Sequence, residues 1–366
     1  MEVGASLRRT VLVLGASIRG AEAAAAAAVA ERLRAHPAAG VDVVCIDFFE
    51  GCVPAAAVVG RFAYRTPGGV RIPVHGTFGE LVRHRVDDPL AALLLDGGLE
   101  RADEVLTAAS PAAVVSTNDV AGGVAAEVAR GRFPTFTVLV DPDPRDRWLH
   151  PGADGYFVAC PEARDRLVVA GVPLGRVAVT GVPVDARIGP DVSVRGGGGG
   201  GGRFAVAVFP TGSDADVKHL VRDIGSLGVR VLVPLAGSSR LRHLLSPLAG
   251  SRSNVELLEG DDAFSDALRG ADLAVCEAGS SAVPAALAAA TPLVLRSPVP
   301  AELSTADFLV DWGAALLGRD DADVAGKVRF LSSHPDRLAE IAARSAALGR
   351  PAAAQAVCER VLAALP

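Results

Sequence analysis

Short apolar runs alternate with longer stretches of helical periodicity along the whole chain. Thr10–Leu14, Val41–Ile46, Ala113–Ser116, Phe136–Val140, Tyr156–Ala159 and Val177–Thr180 are largely apolar, with many β-branched residues. Continuous rather than alternating apolar runs are what strands buried on both faces show. Ala21–Ala35, Ala121–Arg130 and Glu162–Ala170 read as helices between them. The pattern restarts with Phe204–Phe209, Arg230–Pro234, Asn254–Leu258, Asp272–Cys276 and Pro292–Leu295 as strands. Ser280–Ala289 is a helix in that half. Asp336–Leu365 is helical, with a break near Gly349–Pro351. Regular β–α alternation predicts an α/β fold with parallel, doubly wound sheets.

Seven glycines, Gly196–Gly202, interrupt the alternation. Such a run buries nothing that offsets its backbone entropy, so it reads as a tether. Slippage in a GC-rich gene explains its origin equally well, and either origin marks a boundary. The expected organisation is a first Rossmann-like domain over 1–190, a linker over 191–203, a second domain over 204–335, and C-terminal helices over 336–366. Two such domains are expected to face a cleft, with ligands at the carboxyl ends of the strands.

Composition narrows the function. The 366 residues carry a formal net charge of -6, so no broad basic field attracts nucleic acid. Five cysteines without CxxC spacing argue against a zinc site or a disulfide framework and fit a reducing cytoplasm. The first apolar run is short and ends at Gly15, so it does not read as a secretory signal. No run approaches the roughly 18–20 apolar residues of a membrane span.

Several segments resemble one family. They are Trp148–Asp185 (WLHPGADGYFVACPEARDRLVVAGVPLGRVAVTGVPVD), Val114–Asp119 (VVSTND), Glu277–Leu287 (EAGSSAVPAAL) and Ser297–Ala315 (SPVPAELSTADFLVDWGAA). Taken in chain order, they are similar to the monogalactosyldiacylglycerol synthase-like branch of glycosyltransferase family 28. The resemblance implies a GT-B architecture and a UDP-sugar donor. It also implies inverting transfer without a metal and a lipid acceptor at a membrane surface, with peripheral binding at the inner face of the plasma membrane.

Carried over position by position, the resemblance names the first-domain candidates. In the loop Gly15–Glu22, Ser17 and Arg19 lie on the acceptor side, and Glu22 falls where the family has a histidine. A glutamate there can accept a proton from an attacking hydroxyl, or can be a charge favoured at a helix N-terminus. Asn118 and Asp119 replace the family's His-Pro after VVST. Asp119 is a second candidate base, or the N-cap of the helix that starts at Val120. Asp141, in the turn Asp141–Pro144, is a third carboxylate that can orient an acceptor hydroxyl or cap its turn. His150 reads as structural.

On the donor side, Gly212 and Ser213 occupy the place of a phosphate loop, beside Asp214. Gly279, Ser280 and Ser281 open a helix, where hydroxyls and free N–H groups suit a diphosphate or a plain serine cap. The chain departs from the family at Ala285, where a ribose-binding glutamate stands, and at Glu277, where a lysine stands. Glu302 stands in for part of the sugar-recognition triplet, and Thr305 replaces an asparagine. Arg19 and Arg296 are candidates to compensate the acidic charge.

Arg61, Arg65, Arg71, Arg83 and Arg85 lie among Phe62, Tyr64 and Phe78. Interleaved arginines and aromatics suit an anionic lipid surface, and an ordinary exposed loop has the same look. Three functions follow: a UDP-sugar hexosyltransferase acting on a lipid or small-molecule hydroxyl, a catalytically impaired relative that regulates a protein partner, and a module that binds a nucleotide or a lipid headgroup.

Overall fold

A computed structural model of the chain describes residues 9–16, 20–36, 40–52, 89–143, 150–189, 203–210, 214–296 and 302–365. The polyglycine run lies outside them. The chain divides into two compact units, Met1–Ala186 with Ala352–Pro366, and Arg187–Pro351.

The first unit holds a six-stranded parallel sheet in the order β2-β1-β3-β4-β5-β6. Its strands are β1 Arg9–Gly15, β2 Val41–Asp47, β3 Ala113–Ser116, β4 Thr135–Leu139, β5 Gly155–Val158 and β6 Val177–Val179. The continuous apolar runs have the expected cause. On β1, Val11 and Val13 pack in one core with Val29 and Leu33, while Leu12 and Leu14 pack in another with Phe48, Leu106 and Val124. Helix α1, Gly20–Ala35, therefore covers one face. Helix α2, Phe48–Cys52, and helix α3, Pro89–Ala109, cover the other together with helix α4, Asp119–Ala129. Helix α4 lies close on the sheet: a Cβ at Gly122 would stand 2.6 Å from Thr137 Oγ1.

The second unit is a six-stranded parallel sheet in the order β12-β11-β10-β7-β8-β9. Its strands are β7 Ala205–Val208, β8 Arg230–Pro234, β9 Val255–Leu258, β10 Leu273–Cys276, β11 Leu293–Leu295 and β12 Ala315–Leu317. Numbered within the unit and read from β9, this is the 3-2-1-4-5-6 order of a dinucleotide-binding sheet. β12 is a strand that the apolar pattern alone does not predict.

A helix over Leu303–Asp311, which the sequence pattern alone does not predict, buries Thr305, Ala306 and Leu309. The C-terminal segment is helical with its break near Gly349–Pro351, as expected, and its two helices belong to different units. Pro335–Leu348 stays with the second unit, and Ala353–Ala363 packs on α1 of the first unit through Val357, Cys358 and Val361. The burial of those three side chains is what draws the last helix back across the sequence.

Candidate active site

In an open parallel sheet, ligands bind outside the carboxyl ends of the strands where the order reverses. In the first unit that point lies between β1 and β3. Their register sets Leu14 beside Ser116, so the chain leaves both strands at the same level. Glu22 arrives in the first turn of α1, and Thr117 and Asn118 follow β3 directly.

These residues meet. Asn118 Nδ2 donates to Glu22 Oε2 at 3.0 Å. Thr117 Oγ1 donates to the Glu22 carbonyl at 2.8 Å, and the Thr117 N–H donates to the Leu14 carbonyl at 3.0 Å. Asn118 Oδ1 accepts from the Ala121 N–H at 3.1 Å, which makes Asn118 the N-cap of α4. Its backbone is extended, with φ -128° and ψ 143°, as an N-cap requires. The cap expected at Asp119 thus falls one residue earlier, and Asp119 opens the helix. Glu22 is only 1% exposed. Carboxylates are rarely buried unless they are paired, so a helix-terminal charge explains the position of Glu22 but not its enclosure.

Asp141 is half-buried in the turn after β4, the strand next to β3. Its neighbours serve structure: Asp143 pairs with Arg166, and the Pro142 carbonyl receives Cys160 Sγ at 3.7 Å. His150 is structural as well. Its N–H donates to Tyr156 Oη at 2.7 Å, Tyr156 Oη donates back to its carbonyl at 3.0 Å, and its Nδ1 accepts from the Gly152 N–H at 3.1 Å. Burial holds the imidazole below its ordinary pKa, against the opposing pull of Glu127.

In the second unit the order reverses between β7 and β10. After β10 come Glu277, Gly279, Ser280 and Ser281, and then a short helix over Ala282–Ala288. Ser280 Oγ accepts from the Ala282 N–H at 3.1 Å, closing a local turn. Ser281 precedes the helix and makes no side-chain cap hydrogen bond. Glu302, 3% exposed, lies against the backbone of Gly279. Thr305 is buried one turn further on. Ala285 is buried too, its methyl group inside the unit.

The register Cys276↔Leu295 brings Glu277 level with Arg296. The guanidinium, 13% exposed, lies 4.0 Å from Glu277 and reaches Asp321 Oδ1 with Nη2 at 2.8 Å and Nε at 3.2 Å. Arg296 therefore stands beside Glu277 at the end of the neighbouring strand, with Asp321 as its nearer partner. Burial, reinforced by Glu277 and Glu302, pushes the Cys276 thiol far above its ordinary pKa. Sequence reasoning missed Asp321 and Thr117. The signal for Thr117 was its place at the carboxyl end of a buried strand. Asp321 gave no signal, because only the β11–β12 pairing brings its helix, Asp321–Ser333, to Arg296.

Ser17, Arg19, Arg61, Arg65, Gly212 and Ser213 lie outside the described residues. Among the described residues, no three His, Cys, Asp or Glu side chains gather closely enough to hold a metal ion, and no helix is long and apolar enough to cross a membrane.

Residues 82–184 match the family model of monogalactosyldiacylglycerol (MGDG) synthase. The chain is 23% identical over 332 residues to a processive diacylglycerol beta-glucosyltransferase of Bacillus cereus, covering 88% of this chain and 86% of that protein. In structure it is similar to MurG of Acinetobacter baumannii, with a TM-score of 0.60 and 17% identity, over 96% of this chain and 99% of the other. It is also similar to a UDP-GlcNAc 2-epimerase from Neisseria meningitidis bound to UDP-GlcNAc, with a TM-score of 0.59 and 13% identity, over 97% and 100%. The segments Val114–Asp119 and nearly all of Trp148–Asp185 fall within the matched family region.

Proposed function

We propose that this chain, a GT-B-type glycosyltransferase similar to the monogalactosyldiacylglycerol synthases of family 28, moves a hexose from a UDP-sugar to the hydroxyl of a diacylglycerol-like lipid. A fold that serves both MurG and an epimerase does not fix the reaction, because function resides in sites placed on folds. The observation that carries the reading is Glu22: a buried carboxylate, bonded to Asn118, at the reversal point between β1 and β3.

In the proposed reaction the acceptor hydroxyl oxygen attacks the anomeric carbon. Its proton passes to Glu22 as the new C–O bond forms. The bond from the anomeric carbon to the diphosphate breaks, and UDP leaves with the electron pair, which inverts the anomeric centre. Backbone N–H groups and hydroxyls around Gly279–Ser281 hold the diphosphate, and Glu302 and Thr305 contact the sugar. Asp119 and Asp141 remain alternative bases. The transfer is proposed to need no metal. Arg61 and Arg65 are proposed to meet an anionic bilayer that presents the lipid.

The buried methyl of Ala285 and the acid at 277 favour one second reading, a catalytically impaired relative that acts through a protein partner. Two measurements separate them. One is calorimetric titration with UDP, UDP-glucose, UDP-galactose and dTDP-glucose, with EDTA present. The other is transfer from each sugar donor to dioleoylglycerol in phosphatidylglycerol vesicles. Binding and transfer with one donor support the first reading. No binding at millimolar concentration by a cooperatively folded sample would sink it.

A further inference from the structure

We infer that Asn118 is the positioning residue for Glu22, and that one amide side chain performs two tasks that can be separated by substitution. The inference rests on the reading of Glu22 as the base. Nδ2 donates to Glu22 Oε2 at 3.0 Å, while Oδ1 accepts from the Ala121 N–H at 3.1 Å. The two ends of the amide are chemically different, so reversing it would lose both bonds. The helix cap therefore dictates which end faces the carboxylate.

The backbone behind this amide is fixed as well. The Asn118 N–H donates to Ser116 Oγ at 3.2 Å, and Ser116 Oγ donates to the Asn118 carbonyl at 2.7 Å. The same carbonyl accepts from the Gly122 N–H at 2.9 Å. Thr117, between the two residues, grips the Glu22 carbonyl. Strand β3 and helix α4 thus hold the amide, and the amide holds one oxygen of the carboxylate. Glu22 sits in α1, 96 residues away in sequence, and this bond transmits the geometry of the sheet to it. A base must keep its acceptor oxygen within hydrogen-bond reach of the proton it removes, and small displacements are costly.

Serine caps a helix as well as asparagine does but cannot reach across to Glu22. Asn118→Ser therefore keeps the cap and removes the positioning bond. The full-length protein is assayed with dioleoylglycerol in phosphatidylglycerol vesicles and whichever of UDP-glucose or UDP-galactose it uses. Asn118→Ser is expected to lower kcat on the order of 10- to 100-fold, with donor KM within about twofold and a melting temperature lower by a few degrees, because the buried carboxylate loses one donor while the helix cap is kept. In a Glu22→Gln background the same substitution is expected to add nothing, because the two residues act as one unit.

A readout independent of turnover is the titration of the Glu22 carboxyl carbon by 13C NMR. Asn118→Asp retains a capping oxygen but faces Glu22 with a second carboxylate. It should raise the Glu22 titration midpoint by about one unit or more. An inactive Glu22→Gln beside a fully active Asn118→Ser would overturn the inference and leave the base assignment standing. An active Glu22→Gln, or a parent protein that transfers from neither donor, would overturn both. A Glu22 titration unchanged in Asn118→Asp would show that the pair does not communicate and would overturn the positioning role alone.

Discussion

Glu302 lies so close over Gly279 that a Cβ built on the glycine would overlap Glu302 Oε1 and stand 3.0 Å from its Cδ. Two donor-side candidates separated by a strand are therefore in direct contact. Because Glu302 is buried, its carboxylate has little room to yield. Gly279→Ala should push Glu302 out of place and weaken UDP-sugar binding about tenfold, a loss of about 1.4 kcal/mol. Free UDP, which lacks the hexose, should lose less. Calorimetry with both ligands checks the contrast, and equal losses would mean that Glu302 does not face the sugar.

Glu277 presents a negative charge beside the Gly279–Ser281 turn, and Arg296 offsets it only in part, since Asp321 also engages the guanidinium. Glu277→Gln should therefore tighten UDP binding, by roughly three- to tenfold for one removed charge at several ångströms in a partly solvated site. The gain should shrink in high salt. Arg296→Met should do the opposite and also cost stability, on the order of 2 kcal/mol. That is less than the ~3–5 kcal/mol of a fully buried pair, because Asp321 is partly solvated. Titrations at two salt concentrations, with thermal melts, test both.

The sheets were legible in the sequence because both faces of their strands are buried. Thr10–Leu14 was found within one residue at each end of Arg9–Gly15, and Arg230–Pro234 was found at its observed bounds. β12 escaped because Ala315–Leu317 is short and only partly buried. The helix at Leu303–Asp311 was hidden by a preceding proline-rich stretch, although Thr305, Ala306 and Leu309 already carry helical spacing. At the site, individual residues were legible but their pairings were not. Glu22 and Asn118 both stand out as loop residues in the sequence, yet nothing local says that they touch. Asn118 and Asp119 cap a helix equally well by residue type, and only the extended backbone of Asn118 decides between them.

His150 sets a pH dependence of stability. Its Nδ1 accepts the Gly152 N–H, which requires the neutral ring, and burial lowers its pKa below the ordinary value. The folded state then binds a proton less readily than the unfolded chain. Stability should be fully present above the unfolded pKa of about 6.5 and decline as pH falls through it towards the lower folded value. His150→Asn, whose side-chain oxygen can accept the same N–H, should flatten that part of the profile. Urea melts between pH 7.5 and 5.5 measure it, and parallel profiles for the two proteins would dismiss His150 as the cause.

The last helix provides a reporter for its own docking. Ala353–Ala363 inserts Val357, Cys358 and Val361 against Val29 and Leu33 of α1, and Cys358 Sγ lies 3.6 Å from the Val29 carbonyl. Burial pushes the Cys358 thiol up to about 12, so almost no thiolate exists near neutral pH. Cys45 is exposed on β2, while Cys52, Cys160 and Cys276 are buried like Cys358. A thiol reagent such as DTNB should therefore label Cys45 alone in the native protein. Val361→Ala removes two methyl carbons from a fully buried site and should cost roughly 2 kcal/mol by the usual transfer and cavity terms. If the helix opens as a local unit, that loss raises the population of its open state about 30-fold, and Cys358 should react faster by the same factor. Labelling sites are read by peptide mass spectrometry. Faster labelling of Cys358 with an unchanged rate at Cys276, in the other unit, is the outcome expected of a helix that undocks alone. Equal acceleration at both would mean that the units unfold together.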